Sequence, residues 1–330
     1  MNSIKNQRVL AIITLVFCQQ ALAQTPSASL PQTENPVKVS LYGKHTSSIN
    51  KIQMSHDDRW ILTASNDLSA ILWDAESGRR LHLLPHAERV VDAKFSPDSK
   101  SVLTIDFTGN VAIWNPETGK LVKKLHTGFD RGFAVDFSKN GKHLAACGDV
   151  PRPPETSRYS LYNKGKTIVW DFSSLNIVAI QNSLRNSVKS LQFHPTNDSL
   201  LIGYNSNSKE NTYLLDWDFN AKKVLWKANY KYNWSWSSIA CPPTGEVLAV
   251  LNDRLITSVS GAGYEIKELK RKSTGKILDL FADSTGNRVF CVTPDAIEIR
   301  EQVGKKKVRL FKRGSRIRYS VPKLGNWLAG

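Results

Sequence analysis

"ILTASNDLSAILWDAESG", residues 61 to 78, decides how the rest of the chain is read. Thr63, Ser65, Asp67 and Trp73 stand close together, with His45 and His56 shortly before them. Taken singly, the stretch resembles the edge of a hydrolase site. It is not single. "SVLTIDFTGNVAIWNPETGK" at 101 to 120 rewrites it, and "KTIVWDFSS" at 166 to 174 and "TYLLDWDFN" at 212 to 220 repeat its second half. Trp73, Trp114, Trp170 and Trp217 follow one another at 41, 56 and 47 residues. Internal periods of this length mark propellers or solenoids.

A second column keeps the same register. Met54, Phe95, Phe137, Phe193, Cys241 and Phe281 are separated by 41, 42, 56, 48 and 40 residues. Each precedes a turn such as "SHDDR", "SPDSK", "SKNGK" or "DSTGN", and then a short apolar run. Alternation, β-branched residues and Pro/Asn/Asp/Gly turns predict hairpins. No long stretch of period 3.6 predicts a helix.

On these residues the chain resembles the tryptophan–aspartate (WD) repeat family of β-propellers, of a bacterial exported type, across about residues 37 to 330. The resemblance implies an all-β fold, a ring of four-stranded blades. It places blades at about 45–84, 86–125, 128–181, 186–227, 234–270 and 275–311. A seventh begins near Arg316, where "IRYSVPKLGNWLAG" copies the opening of a blade and stops at Gly330 inside its second strand. "VKVSLY", 37 to 42, is suited to be the outer strand that closes the ring. The third strand of blade seven is then missing. Either the sequence is truncated, which is the reading adopted, or the ring closes with a defective blade.

The resemblance also reassigns the opening residues. It implies a buried hydrogen-bonded network of a His before strand a, a Ser or Thr in strand b, an Asp in the b–c turn and the strand-c Trp. These map to His45, Thr63, Asp67 and Trp73. Blade two repeats His86, Thr104 and Trp114 at the same separations of 18 and 10 residues, with Thr108 where the Asp would stand, so its network is expected to be weaker. A nucleophile–base pair serves one site, and a copied constellation reads as bracing. No catalytic residue, cofactor or metal site is expected. His56, His82, His126, His143 and His194 show no ligand spacing, and no phosphate loop, GxSxG elbow or HExxH occurs.

The N-terminus reads as a targeting segment. Lys5 and Arg8 precede the apolar "VLAIITLVF" at 9 to 17, and "ALAQ" supplies small residues at Ala21 and Ala23. This is the pattern of a secretory signal, cleaved after Ala23. The apolar run is short for a bilayer span, and Phe17 before Cys18 disfavours a lipoprotein signal. Residues 24–36 form a polar leader, and 37–330 a single propeller domain. An exported, periplasmic or secreted protein follows, and the composition suits a bacterial envelope.

Hydrophobic content of 41% and charged content of 22% are those of a folded domain. The net charge is +16, and loss of Lys5 and Arg8 lowers it to +14. For an exported chain such charge points to anionic lipid, acidic glycan or acidic protein, not to nucleic acid, or serves solubility alone. Cys147, Cys241 and Cys291 would remain after cleavage, an odd number without CxxC spacing. Cys147 and Cys291 fall at an inward strand-b position and Cys241 in the strand-a column, so buried thiols are expected.

Function then falls on departures from the repeat. "GDVPRPPETSRYSLYNKG", 148 to 165, interrupts blade three with Arg152, Arg158, Tyr159 and Tyr162. "NYKYNWSW", 229 to 236, alternates Tyr230, Tyr232, Trp234 and Trp236, which would share one strand face. That face is core packing between blades or an aromatic platform for a peptide or sugar. The resemblance implies that these loops, with "YNSNSKENT" of blade four, gather on one side of blades three to five. The expected function is a non-enzymatic protein-interaction scaffold using that sector; the alternative is a carbohydrate-binding propeller using 229–236. "KKKVRLFKRGSRIR", 305 to 318, holds eight Lys or Arg in fourteen residues. It reads as a guarded outer strand edge or as a contact for anionic lipid or an acidic partner.

Overall fold

Each repeat folds as a four-stranded antiparallel sheet. The structure, a computed structural model, describes residues 44–151, 164–183, 186–196, 198–205, 212–230 and 236–241. It then describes the strands at 247–251, 255–260, 265–269, 279–282, 288–292, 297–301 and 307–309. Side chains are described up to residue 250, apart from residues 230 and 236–238.

Blade one comprises β1 (Ile49–Met54), β2 (Trp60–Ser65), β3 (Ser69–Asp74) and β4 (Arg80–Pro85). Blade two comprises β5 (Val90–Phe95), β6 (Val102–Asp106), β7 (Val111–Trp114) and β8 (Leu121–Leu125). In blade three are β9 (Arg131–Phe137), β10 (His143–Val150), β11 (Lys164–Asp171) and β12 (Ile177–Asn182). Blade four holds β13 (Ser187–Phe193), β14 (Leu200–Asn205), β15 (Thr212–Asp218) and β16 (Lys223–Tyr230). Blade five holds β17 (Trp236–Ala240), β18 (Val247–Leu251), β19 (Leu255–Ser260) and β20 (Glu265–Leu269). Blade six holds β21 (Asp279–Ala282), β22 (Arg288–Val292), β23 (Ile297–Glu301) and β24 (Lys307–Arg309). Strands run in chain order in all six sheets, and no helix occurs among the described residues. This is the blade architecture of a β-propeller. The residues expected to form the targeting segment, the leader, the closing strand at 37–42 and the seventh blade lie outside the described residues.

Neighbouring sheets meet face to face, which is why the inner strands are apolar on both sides. Trp60, Leu62, Leu72 and Leu84 of blade one pack against Val90, Phe95, Val102 and Trp114 of blade two. Leu103, Ile105, Val111 and Ile113 meet Val135, Phe137, Leu144 and Trp170 of blade three. Cys147 and Val169 join Phe193, Leu200, Tyr204 and Trp217 of blade four. A sheet covered on both faces needs such continuous apolar strands, whereas a half-solvated one alternates.

The turns explain the repeated punctuation. After strand a, Ser55, Ser96 and Ser138 each donate a hydroxyl to an acceptor two residues on, Asp57, Asp98 and Asn140, at 2.6, 2.6 and 2.7 Å. After strand c, the residue following each Trp closes the next turn. Asp74, Asn115, Asp171 and Asp218 accept the backbone N–H three residues on at 2.7 to 3.0 Å. The aspartate of the Trp–Asp pair is thus a turn residue.

Two series of β-bulges recur. In strand a the ladder shifts around Asn50, Val91, Phe133, Lys189 and Ser237. In strand d it shifts around Leu81, Val122, Val178 and Leu225, opposite the Trp. An extra residue at the same place in successive sheets raises the twist of each.

One turn is strained in blade one and relaxed in blade two. Leu68 sits at φ 67°, where the equivalent residue of blade two is Gly109 at φ 82°. A left-handed backbone costs an L-residue about 1–2 kcal/mol. Leu68 is 46% exposed, so little packing offsets that cost. Leu68→Gly is expected to stabilise the fold by about 0.5–1 kcal/mol after the entropy that glycine adds to the unfolded chain. A rise in the urea midpoint at unchanged m-value checks this; a fall contradicts it.

Candidate functional site

The constellation that opened the sequence reading is assembled and buried. Trp73 donates its indole N–H to Thr63 Oγ1 at 2.9 Å. Thr63 Oγ1 lies 2.7 Å from His45 Nε2, and His45 Nδ1 lies 2.8 Å from Asp67 Oδ2. With the proton on Nδ1, every group has a role. Trp73 donates to Thr63, Thr63 to His45, and His45 to Asp67. Asp67 also accepts from the Thr46 amide at 2.9 Å and from Ser69 Oγ at 2.6 Å. Thr63, Trp73 and His45 are 1%, 2% and 7% exposed. A hydroxyl so enclosed has no approach for a substrate, and each polar atom has the partner that burial demands.

Blade two departs from the expected weakness. Trp114 donates to Thr104 Oγ1 at 2.9 Å, and Thr104 Oγ1 lies 2.8 Å from His86 Nε2. Thr108 does not replace the acid. It donates to Asp106 at 2.9 Å, and the Leu84 carbonyl accepts from His86 Nδ1 at 3.0 Å instead. The chain of bonds is as complete as in blade one, ending on a neutral acceptor.

Burial holds both imidazoles below the ordinary histidine pKa, against the opposing pull of Asp67 on His45 and of the Leu84 carbonyl on His86. His194 is lowered by burial too. Burial acts to raise Asp67, but hydrogen bonds from Ser69, the Thr46 amide and His45 hold it below the usual carboxylate value. The folded state therefore keeps these imidazoles neutral. As pH falls through the unfolded value of 6.5, the unfolded chain takes up their protons first. Stability present above that pH is lost as it falls towards the depressed folded values. The urea midpoint is expected to fall between pH 7.5 and pH 5, before Asp67 titrates. The variant His45→Gln/His86→Gln should start lower and fall less; an equally steep fall would place the acid sensitivity elsewhere.

A second set of side-chain hydrogen bonds, beyond those expected from the sequence, joins blades. In strand a, the residue before the column residue reaches the next sheet. Gln53 Oε1 accepts the Phe95 amide at 2.7 Å, Asp136 Oδ2 the Phe193 amide at 2.9 Å and Gln192 Oε1 the Cys241 amide at 3.2 Å. In blade two that place is Lys94, which cannot accept. Asp92 serves instead, taking the Val135 amide at 3.1 Å, and Lys94 pairs with Asp136 at 3.8 Å. These bonds satisfy strand-a amides, an edge that would otherwise be unpaired. A polar residue recurring one place before the column was the available signal.

The candidate partner-binding residues divide. Arg152, Arg158, Tyr159, Tyr162, Tyr232 and Trp234 lie outside the described residues. The interruption of blade three is shorter than expected: Gly148 to Val150 continue β10 and Lys164 and Gly165 begin β11, paired in register up to Val150 opposite Lys164. Tyr230 ends β16, opposite Thr212, and Trp236 begins β17, opposite Leu251. They belong to different sheets, so one strand face does not carry all four aromatics. The chain crosses from one blade to the next between them. Of the basic segment, β24 is described, and it is an outer strand as expected. Between blades three and four, Lys189 lies 3.4 Å from the Phe133 ring and 3.7 Å from Asp149, whose other oxygen accepts from Ser187 at 2.6 Å.

The two described thiols, Cys147 and Cys241, are buried, and the side chain of Cys291 lies outside the described residues. Cys147 is 0% exposed, and burial pushes its pKa well up; Cys241 is pushed up to about 12 by burial, with Asp216 adding to the rise.

Residues 36–74, which include β1 to β3, match the family described as WD domain, G-beta repeat. Protein HIR1 of Eremothecium gossypii is 21% identical over 222 residues, covering 60% of this chain and 26% of that protein. Protein tipD of Dictyostelium discoideum is 25% identical over 206 residues, 61% of this chain and 31% of that protein. Jouberin of Mus musculus is 26% identical over 211 residues, 57% of this chain and 18% of that protein. The chain thus spans less than a third of the length of these relatives. All three come from eukaryotes and lend no support to a bacterial, exported subtype. The match to a WD40 repeat falls on the first three strands of blade one, in an array of four-stranded propeller blades.

Proposed function

We propose that the chain is an exported, non-enzymatic WD-repeat propeller that serves as a platform for protein–protein interaction, with the partner on the loop face of blades three to five. Duplication carries the non-enzymatic part. The residues that resemble catalytic groups occur twice, buried and saturated, so they brace the scaffold. The b–c and d–a connections leave the same ends of the strands in an antiparallel blade. β10, β14 and β16 therefore end on one side, where the two longest b–c connections and the aromatic segment 229–236 begin. Two tyrosines, two arginines and Trp234 supply the residue types that dominate interface energies. The secretory pattern at 1–23 supports export.

Purification from the native compartment with cross-linking tests both parts. The mature chain is expected to begin at Gln24 and to carry one protein in stoichiometric amount. Tyr159→Ala/Tyr162→Ala/Trp234→Ala should weaken that complex by about tenfold or more. Wild-type retention by the triple variant would remove the assigned sector. Glycan binding lost on Trp234→Ala, without any co-purifying protein, would favour a carbohydrate-binding propeller.

A further inference from the structure

Nine large hydrophobic side chains are exposed among the described residues, and all but Leu68 lie on the outermost strands β4, β8, β12 and β16. Those four strands contain no Asp or Glu. Blades one and two make the densest sector. Leu81, Leu83, Leu121 and Val122 are 42%, 50%, 42% and 62% exposed. Arg80, Lys123 and Lys124 stand exposed beside them. Leu81 and Val122 are the bulged residues of their strands, so the same register device turns an aliphatic group out in both.

The two outer strands are also fastened together. His82 of β4 donates from Nε2 to the Glu117 carbonyl of blade two at 3.0 Å. Its ring fills the place where a Cβ on Gly119 would stand, 2.6 Å away. Arg59 of blade one pairs with Glu117 at 3.2 Å. These contacts join the rims of blades one and two, with Glu117, paired to Arg59, as the acidic group between their aliphatic and cationic side chains.

We propose that this rim docks on an anionic lipid bilayer, the aliphatic side chains entering the headgroup region and Arg80, Lys123 and Lys124 contacting the negative surface. The site is separate from the loop face assigned to a protein partner. Charge selects the occupant. A second copy would bring like charges together across the contact. The rim has aliphatic groups without an aromatic anchor, and a protein interface is usually centred on such anchors. A bilayer needs no shape complementarity, only aliphatic and basic groups together.

Flotation of the full chain with vesicles tests this, using phosphatidylcholine alone and a 7:3 mixture of phosphatidylcholine and phosphatidylglycerol (about 0.1 M salt). The wild type is expected to float with the anionic vesicles only. Arg80→Glu/Lys123→Glu/Lys124→Glu and Leu81→Ser/Val122→Ser should each bind about tenfold less or weaker still. Near-UV circular dichroism checks their fold, and Lys123→Glu/Lys124→Glu stands in should a larger set fail to fold. The proposal is overturned if the wild type does not float with anionic vesicles, or floats equally with neutral ones. It is also overturned if the folded variants float like the wild type, which would move lipid contact to another surface such as 305–318. A wild-type dimer in sedimentation velocity that both variants abolish, without vesicle binding, would assign the rim to self-association instead.

Discussion

Trp73→Ala is expected to lower the unfolding free energy by about 3–5 kcal/mol, the range for removing a buried aromatic and leaving its cavity. The indole is 2% exposed, packs among Ile61, Ile71 and Met54, and donates to Thr63 at 2.9 Å. Thr63→Val separates the polar part of that cost from the packing part. It keeps the shape and removes the hydroxyl. The Trp73 N–H and His45 Nε2 then lose their shared partner inside the sheet, and each buried polar group left alone costs about 1–3 kcal/mol. Thr63→Ser, which restores the hydroxyl, should recover most of the loss. Guanidinium denaturation of the three variants reads these differences. If Thr63→Val matches the wild type, the network contributes nothing and the account of His45, Thr63, Asp67 and Trp73 as bracing fails.

Gly148→Ala is expected to cost about 3 kcal/mol, at the upper end of what overpacking usually costs. The reason is space. A Cβ there would lie 2.3 Å from the Arg131 carbonyl oxygen and 2.6 Å from the Phe129 ring. The first is backbone of the adjacent strand and can move only if β9 and β10 separate where Gly148 opposes Gly132. Gly128 supplies the contrast. It has open space around a Cβ but a φ of +69°, so Gly128→Ala carries only the left-handed cost of about 1–2 kcal/mol. Thermal unfolding of both variants should rank Gly148→Ala as the more damaging. The reverse order would mean that β9 and β10 part easily.

The blade boundaries were legible because turn chemistry repeats with the strands. The Ser and the Asp or Asn two residues after it, and the Asp or Asn after each Trp, are local devices that act within a few residues. The pairing of His45 with Thr63 and of His86 with Thr104 was legible because a repeat at equal spacing places both at one position of the sheet. The Leu84 carbonyl that completes the second network was not. A backbone acceptor leaves no trace in residue identity, and Thr108 offered a plausible side chain that bonds Asp106 instead.

By itself the sequence determined the strands, their order in each blade, the turns and the residues braced within a sheet, because all of these depend on neighbours within one repeat. Only the tertiary structure decided what happens between repeats. It set Gln53, Asp92, Asp136 and Gln192 against amides of the next sheet. It placed Tyr230 and Trp236 on separate blades, and it laid His82 beneath Gly119 to join two outer strands. Those contacts depend on how closely two sheets approach, and packing of their apolar faces sets that distance.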